Sequence, residues 1–532
     1  MSFANYNQDI ACFFNNRFCF IESYYVLLAC SLLIAYIVLY LGYHLLLTPF
    51  SKIPGPRHSK ILTFGYYLDV FYGTIGKTSK DNYYKYGDIY TLGPNAVAIS
   101  NPADCRRVLG STDFIKHPAY AGLAIEETIM ISTLSEEDAH ARHKRVGLVF
   151  SHTNLAKVEC ILIDHGVKSL FKKWDSAISQ AVDKKAAVVN YAWDFMAMSF
   201  DVACGHVYGQ QFDMLNGNQM QVVEWMASYR SLSTLSTSFG GKNSLLVKWL
   251  AADAIKGKAE FFAFTSKLTT KRRKKQLAEK APERGTADVL DSVLMADNQN
   301  SGFKLSANQA TAEVTAFLVA NSGSTSETMC WTLHHMLLNP ITYHKAVLQA
   351  RSAFSHSHTI TYRECKAHLP YIEACIYESM RIHAISGSAV PRVVPKQGIT
   401  IQGHFLPQGT TVAVNIAGAN HHQGTWTNPR AFLPERFVDN PAAKQNVFAF
   451  SHGARSCPGR NLALRQMIVV FANMLKNYDF ELPEDALFKP GILDKHGYPQ
   501  VMPSVQSIMI GPKYPERDCR IIVRKAASNA EV

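Results

Sequence analysis

Residues Tyr24–Leu47, YYVLLACSLLIAYIVLYLGYHLLL, contain no Asp, Glu, Lys or Arg. A run this long and this apolar has few stable forms. Inside a bilayer the backbone must bond to itself, which selects a helix. At the helical rise the run covers roughly 30 Å or more, enough to cross a membrane. It is apolar on every face, whereas a buried core helix shows one apolar stripe. It is too long for a cleaved leader, and no basic segment precedes it. Asp9, Arg17 and Glu22 lie before it; Lys52, Arg57 and Lys60 follow. The positive-inside rule then places residues 1–23 on the lumenal side, a transmembrane helix over 24–47, and the large C-terminal part in the cytosol. Residues 48–57 include Pro54-Gly55-Pro56, a stiff helix-breaking turn. Either it is an ordinary linker, or it is a hinge that sets how residues 58–532 lean on the membrane.

The 532 residues are ample for a large core. Apolar residues at 47% and charged residues at 18% exclude a disordered chain. The formal net charge is +12, yet no nucleic-acid motif and no basic–aromatic interleaving accompanies it, so no nucleic-acid partner is expected. The densest basic run, residues 271–275, reads as a solvated helix end or loop, with a face for acidic protein or anionic lipid as the alternative. The eleven cysteines are scattered and form no CxxC pair, a pattern of reduced thiols in a cytosol-facing domain.

From about Ser79 to Asn339 the chain has mostly helical periodicity, with a surface connection over 281–302. Ser306 followed by Gln309 is a capping box that opens a long helix to about Leu338, stopped by Asn339-Pro340. After Arg381, prolines and glycines punctuate short β-like runs such as 410–414. A helix is expected from about Arg460 to Asn477, and a strand at 519–523. The fold class expected is mainly α, with a smaller β region.

Residues 450–459 read Phe-Ser-His-Gly-Ala-Arg-Ser-Cys-Pro-Gly. One cysteine, Cys457, stands between a glycine-containing loop and a helix start. The free N–H groups there should lower its thiol pKa. Gly453 permits a turn closed to other residues, and Gly459 lets a large planar ligand approach. Phe450 can shield the sulfur, and Arg455 can pair with a carboxylate. The decapeptide resembles the cytochrome P450 haem-ligand signature at every fixed position. That resemblance implies that Cys457 is the axial thiolate of haem b iron and that Arg455 meets a haem propionate.

The resemblance runs from the proline hinge almost to the C-terminus. Glu378 and Arg381 share a helix face, and Arg436 follows in Pro434-Glu435-Arg436-Phe437. In the family the matching three residues form a buried cluster that locks the haem-binding core. His140 and Lys144 resemble a propionate-holding pair, with an exposed basic helix face as the alternative. Arg392 stands where the family often has another propionate arginine. Within the long helix, Ala320-Asn321-Ser322-Gly323-Ser324-Thr325 aligns with the family's oxygen-site turn. Ser324 and Thr325 supply its hydroxyls, while Gly323 stands where an acid is usual. Glu327 lies one turn on, in reach of serving as a displaced acid. Ser324 has a second reading, a serine bonded to its own helix backbone. Phe317, Ala320 and Val390 are pocket candidates that could equally be core. His334-His335 and His421-His422 do not suggest zinc, because adjacent histidines cannot easily share one metal.

The resemblance, closest in style to eukaryotic microsomal and fungal members, implies a monooxygenase. It would insert one atom of O2 into a C–H bond or double bond of a lipophilic small molecule in secondary metabolism. Electrons would come from an NADPH-cytochrome P450 reductase, with cytochrome b5 as a further partner, at the endoplasmic reticulum membrane. A haem–thiolate isomerase or dehydratase and a non-catalytic haem-binding membrane protein are the competing readings.

Overall fold

The computed structural model describes residues 24–239, 244–278, 289–290, 293, 305–386, 389–506 and 508–527. The expected lumenal segment 1–23 lies outside the described residues. Helix Tyr24–Leu47, of mean hydropathy 2.3, has no part of its most apolar window buried against the protein. Its last five residues, Tyr43–Leu47, widen into a π turn.

The hinge is fastened rather than free. Phe50 and Ile53 are buried in the same core as the strands that follow. Pro54 O accepts a hydrogen bond from Thr91 N at 2.9 Å. Gly55 has φ +147°, and a β-carbon there would come within 2.3 Å of Thr91 Oγ1. Only glycine lets the chain pass this close to the sheet.

That sheet has four strands, in the spatial order Ile89–Gly93, Ala96–Ile99, Thr411–Asn415, Ala389–Val393. Ala96–Ile99 runs parallel to Thr411–Asn415, with Ala96 opposite Thr411 and Ile99 opposite Val414. The other two contacts are antiparallel. A second sheet joins Ala186–Asn190, Arg520–Lys525 and Tyr478–Glu481. The β-like run near 410–414 and the C-terminal strand were therefore legible. Three strands at 89–93, 96–99 and 186–190 interrupt the region expected to be helical. They are short: 89–93 pairs only with its hairpin neighbour 96–99, while 96–99 and 186–190 also pair with strands more than three hundred positions away, which local periodicity does not show.

A larger core joins the helices. Trp174, Phe195, Trp331 and Phe471 are fully buried in it. The long helix begins at the expected capping box: Ser306 Oγ accepts from Gln309 N at 3.1 Å, and Gln309 Oε1 accepts from Ser306 N at 2.8 Å. It runs to Leu338, and Pro340 opens the next helix. Buried threonines and serines along it bond carbonyls one turn back. Most of 281–302, expected to be a surface connection, lies outside the described residues; Val289, Leu290 and Val293 are described and are buried. Residues 271–274 of the basic run sit near the end of helix Ala252–Ala278.

Candidate functional site

Cys457 stands between the 3-10 turn Gly453–Arg455 and helix Arg460–Asn477, as the sequence pattern required. The loop is held by its own backbone: Cys457 N donates to Phe450 O at 2.9 Å. Gly453 has φ +75°, and a β-carbon there would meet Leu109 O at 2.4 Å, so the turn rests directly on a neighbouring helix end. At Gly459 the situation is the reverse. A β-carbon would find only the Cys457 sulfur, at 3.9 Å, and open space otherwise. The sulfur is accessible to small molecules yet lies deep in the protein. Burial pushes its thiol up, against the pull of the Gly459 and Arg460 N–H groups. The N–H groups of the helix start lower the thiol pKa as expected, but burial outweighs them, so the helix start limits the cost of a thiolate and does not by itself produce one. Metal coordination deprotonates a thiol outright. Phe450 is half-buried beside the loop, with the Arg460 guanidinium 5.7 Å from its ring centroid.

Next to this loop lies a cluster of buried cations. Arg455 meets Glu136, its Nη2 at 2.9 Å and its Nε at 3.0 Å, and also bonds Ser135 O. Its Nη1 is buried with no hydrogen-bond partner. Arg392 is buried; its Nη1 reaches only Pro391 O and Tyr120 OH. Lys116 pairs across the backbone with Arg392, and its Nζ donates to Ile131 O at 2.6 Å. Burial, then the charges of Arg455 and Arg392, lower the Lys116 pKa to about 7. His143 is pushed down too, by burial and then by Arg455 and Lys116. Among the described residues, only Arg455 of these three basic side chains meets a carboxylate, Glu136. Positive charge therefore remains uncompensated at Arg392 and, in part, at Lys116. His140 and Lys144 are exposed on the same helix as Glu136. Nothing in the sequence marked Lys116. Glu136 sat in an acidic helix start, Ser135-Glu136-Glu137-Asp138, whose partner was invisible.

Glu378, Arg381 and Arg436 come together. Arg381 donates to Glu378 through Nε at 2.6 Å and Nη2 at 2.9 Å, and Arg436 Nε joins at 3.2 Å. Leu433 N adds a fourth bond to the same carboxylate. The remaining Arg381 donors reach the carbonyls of Asn420, Pro429 and Ala431. Glu378 and Arg381 are fully buried, Arg436 is half-buried, and every charge among the three is met.

In the long helix, Asn321–Thr325 forms a π turn, a local widening often found at functional sites. Ser324 Oγ is accessible and donates to Ala320 O at 2.6 Å. This is the backbone-bonded serine, with its lone pairs still free to accept. Thr325 behaves differently. It is buried and donates to Asn321 Oδ1 at 3.3 Å, and Asn321 in turn bonds Ser199 O and Gln466 Oε1. Thr325 therefore faces the protein core, unlike the accessible Ser324. Ala320 is exposed, Phe317 packs on Phe150 at 5.7 Å, and Val390 lies half-buried at the edge of the sheet core. Glu327 is buried against Arg230 Nη1 at 2.6 Å, and Gly323 faces Met509.

The sequence profile of the family described as Cytochrome P450 matches residues 54–495. The chain belongs to the cytochrome P450 family. Among its relatives, the P450 monooxygenase helB1 of Aspergillus fumigatus is 34% identical over 485 residues, covering 90% of this chain and 82% of the relative. The P450 monooxygenase helB2 of the same species is 33% identical, covering 90% and 95%. Versicolorin B desaturase of Aspergillus parasiticus is more distant, at 26% identity over 85% of this chain and 90% of the relative. These relatives place the chain among the fungal P450 monooxygenases. A P450 carries haem, and the residues present suit one: a sulfur donor, open space at Gly459 for a flat ligand, and unspent buried positive charge for two propionates.

Proposed function

We propose that this P450 is a membrane-anchored haem–thiolate monooxygenase that oxygenates a lipophilic small molecule in secondary metabolism. Residues 1–23 are lumenal, 24–47 span the endoplasmic reticulum membrane, and 58–532 form the cytosolic catalytic domain. Electrons come from an NADPH-cytochrome P450 reductase, with cytochrome b5 as an auxiliary donor. The observation that carries this reading is the Cys457 loop, where an accessible sulfur, an open Gly459 side and the half-spent Arg455 converge.

Haem bound through Cys457 supplies the activation of dioxygen and the transfer of one oxygen atom. The chain's residues do the rest. Arg455 Nη1, Arg392 and Lys116, with His140 and Lys144, neutralise the propionates. Glu378, Arg381 and Arg436 fix the loop region so that the sulfur stays aimed. Phe450 screens the sulfur from water. Ser324 holds a water at its lone pairs and passes its protons inward. Phe317, Ala320 and Val390 shape the apolar wall that positions the substrate.

The test is spectral first. The purified chain should bind haem and give the reduced carbon-monoxide band of a thiolate ligand, and Cys457→Ala should lose it. A histidine-type band in the wild type would overturn the assignment. Co-expression with a reductase, followed by product analysis, then tests oxygenation. A second reading, a haem–thiolate isomerase or dehydratase, is favoured by Gly323 standing where an acid is usual. Turnover of an already oxidised substrate without NADPH would establish it.

A further inference from the structure

The long helix is covered on most sides, but one row along it is open. Ala316 and Ser324 are half-buried and Ala320 is exposed, while Thr315, Leu318, Val319, Ser322 and Gly323 beside them are buried. Positions 316, 320 and 324 lie one turn apart, so the row faces one interior space. Glu327, the next turn, stands at the end of this row. A β-carbon at Gly511 would come within 2.5 Å of Glu327 Oε1 and 2.6 Å of Oε2, so strand Ile510–Pro512 closes directly onto the carboxylate.

Arg230 reaches Glu327 from helix Gln219–Ser238, its Nη1 donating to Oε1 at 2.6 Å. Among the described residues this is the one hydrogen bond that its guanidinium makes. Arg230 stands on the inward side of its helix. Met226, Tyr229, Ser233 and Thr234 around it are buried, whereas Glu224, Ala227 and Ser231 on the other side are exposed. Its side chain nevertheless keeps 23% exposure, against 5% for Glu327. Exposure on an inward row opens to the interior rather than to the outer surface. The guanidinium has N–H donors to spare, and its Nε and Nη2 form the edge that grips an oxygen acceptor.

The charge of this arginine is already matched. Burial pushes the Glu327 carboxyl up and the Arg230 charge holds it down. A carboxylate ligand would add a second negative charge to the pair in a space walled by apolar side chains, where an unmatched charge is costly. An uncharged oxygen would satisfy the same N–H groups without that cost.

We infer that Arg230 is a specificity-determining residue, whose free edge donates to a carbonyl or hydroxyl oxygen of the substrate, away from the carbon that reacts beside Ser324. The substrate is then a lipophile that already carries oxygen, and a step that introduces this oxygen precedes the present one. A plain hydrocarbon is rejected because it leaves the N–H groups dry and unpaired. This rests on the oxygenation reading of the Cys457 site, and the two can be told apart.

The experiment uses the haem-loaded full chain and 1-alkylimidazoles, whose ring nitrogen binds the iron while the chain fills the space beside it. Binding is read from the shift in haem absorption. Chains of graded length end in a methyl group, a methyl ketone or a carboxylate. At one length the ketone should bind several-fold tighter than the methyl end. That preference should vanish in Arg230→Met/Glu327→Leu, which removes both charges together, while affinity for the methyl-ended chain stays. Arg230→Lys, which keeps the charge but not the fork, should weaken the preference, and it serves if the double variant loads no haem. No ketone preference at any length, or one that survives the loss of Arg230, overturns the inference. A carboxylate that binds tighter than the ketone also overturns it, since Arg230 then reads an anion. No shift with any imidazole, the methyl-ended ones included, rejects the haem–thiolate reading itself and the inference with it.

Discussion

Gly323 and the side chain of Met509 compete for one space: a β-carbon at 323 would stand 2.9 Å from both the sulfur and the terminal methyl of Met509. The glycine in the π turn Asn321–Thr325 is therefore matched to Met509, just before strand Ile510–Pro512. Gly323→Asp, which would restore an acid there, should not improve coupling of electrons to product. It should instead cost about 1–3 kcal/mol through overpacking. Adding Met509→Ala should recover most of that loss. Thermal unfolding of the haem-loaded protein checks both, and a wild-type melting point for the single variant would mean that Met509 simply swings aside.

The Glu378 knot gives the largest expected loss. Glu378→Ala would leave Arg381, fully buried, without its counter-ion. Removing one partner of a buried pair costs on the order of 3–5 kcal/mol. The variant should accumulate as haem-free or aggregated protein. Haem content per chain, read from the carbon-monoxide difference spectrum, is the measurement.

Acid should destabilise the fold through its buried histidines. His334 is pushed down to about 3 by burial; its Nε2 accepts from Met502 N, a bond that protonation would break. His206 is pushed down to about 4, by burial first. His335 and His383, 2.9 Å apart, lie well below the ordinary value for the same reason. Unfolded, these rings take up protons near pH 6.5, whereas in the folded protein they resist. Stability is thus complete above about pH 6.5 and declines as pH falls from there toward 4 and 3. His334→Gln should flatten the slope of unfolding free energy against pH in that window. An unchanged slope would show that other groups dominate.

Among the described residues, Glu136 is the one carboxylate meeting Arg455 beside the cysteine loop. Glu136→Gln should leave Lys116, Arg392 and Arg455 facing one another with a larger charge surplus. The haem-free protein should lose stability while the haem-loaded protein loses less, so the gain on haem binding should grow. Paired melting curves with and without haem measure this difference directly.

What the sequence disclosed was what is local. The Cys457 loop, the Ser306–Gln309 cap and helix Arg460–Asn477 each depend on residues a few positions apart, and each was legible. Glu378 and Arg381 share one helical turn; Arg436 was added by resemblance, since 55 residues separate it from Arg381. The partners that complete the site were hidden for the same reason. Arg455 and Glu136 are 319 positions apart. Lys116 reaches Arg392 only because a strand edge brings them side by side. Thr325 looked equivalent to Ser324 until the π turn rotated it against Asn321 and the core.

Phe50 and Ile53 put a practical limit on how the apolar N-terminal helix can be trimmed from this enzyme. A cut after Leu47 removes the greasy tether and spares both plugs in the sheet. A cut after Gly55 also pulls out two apolar side chains worth about 1.5–3 kcal/mol each, so the shorter product would be soluble in name while its sheet edge gapes. The apolar span ends at Leu47, and architectural support begins three residues on, at Phe50.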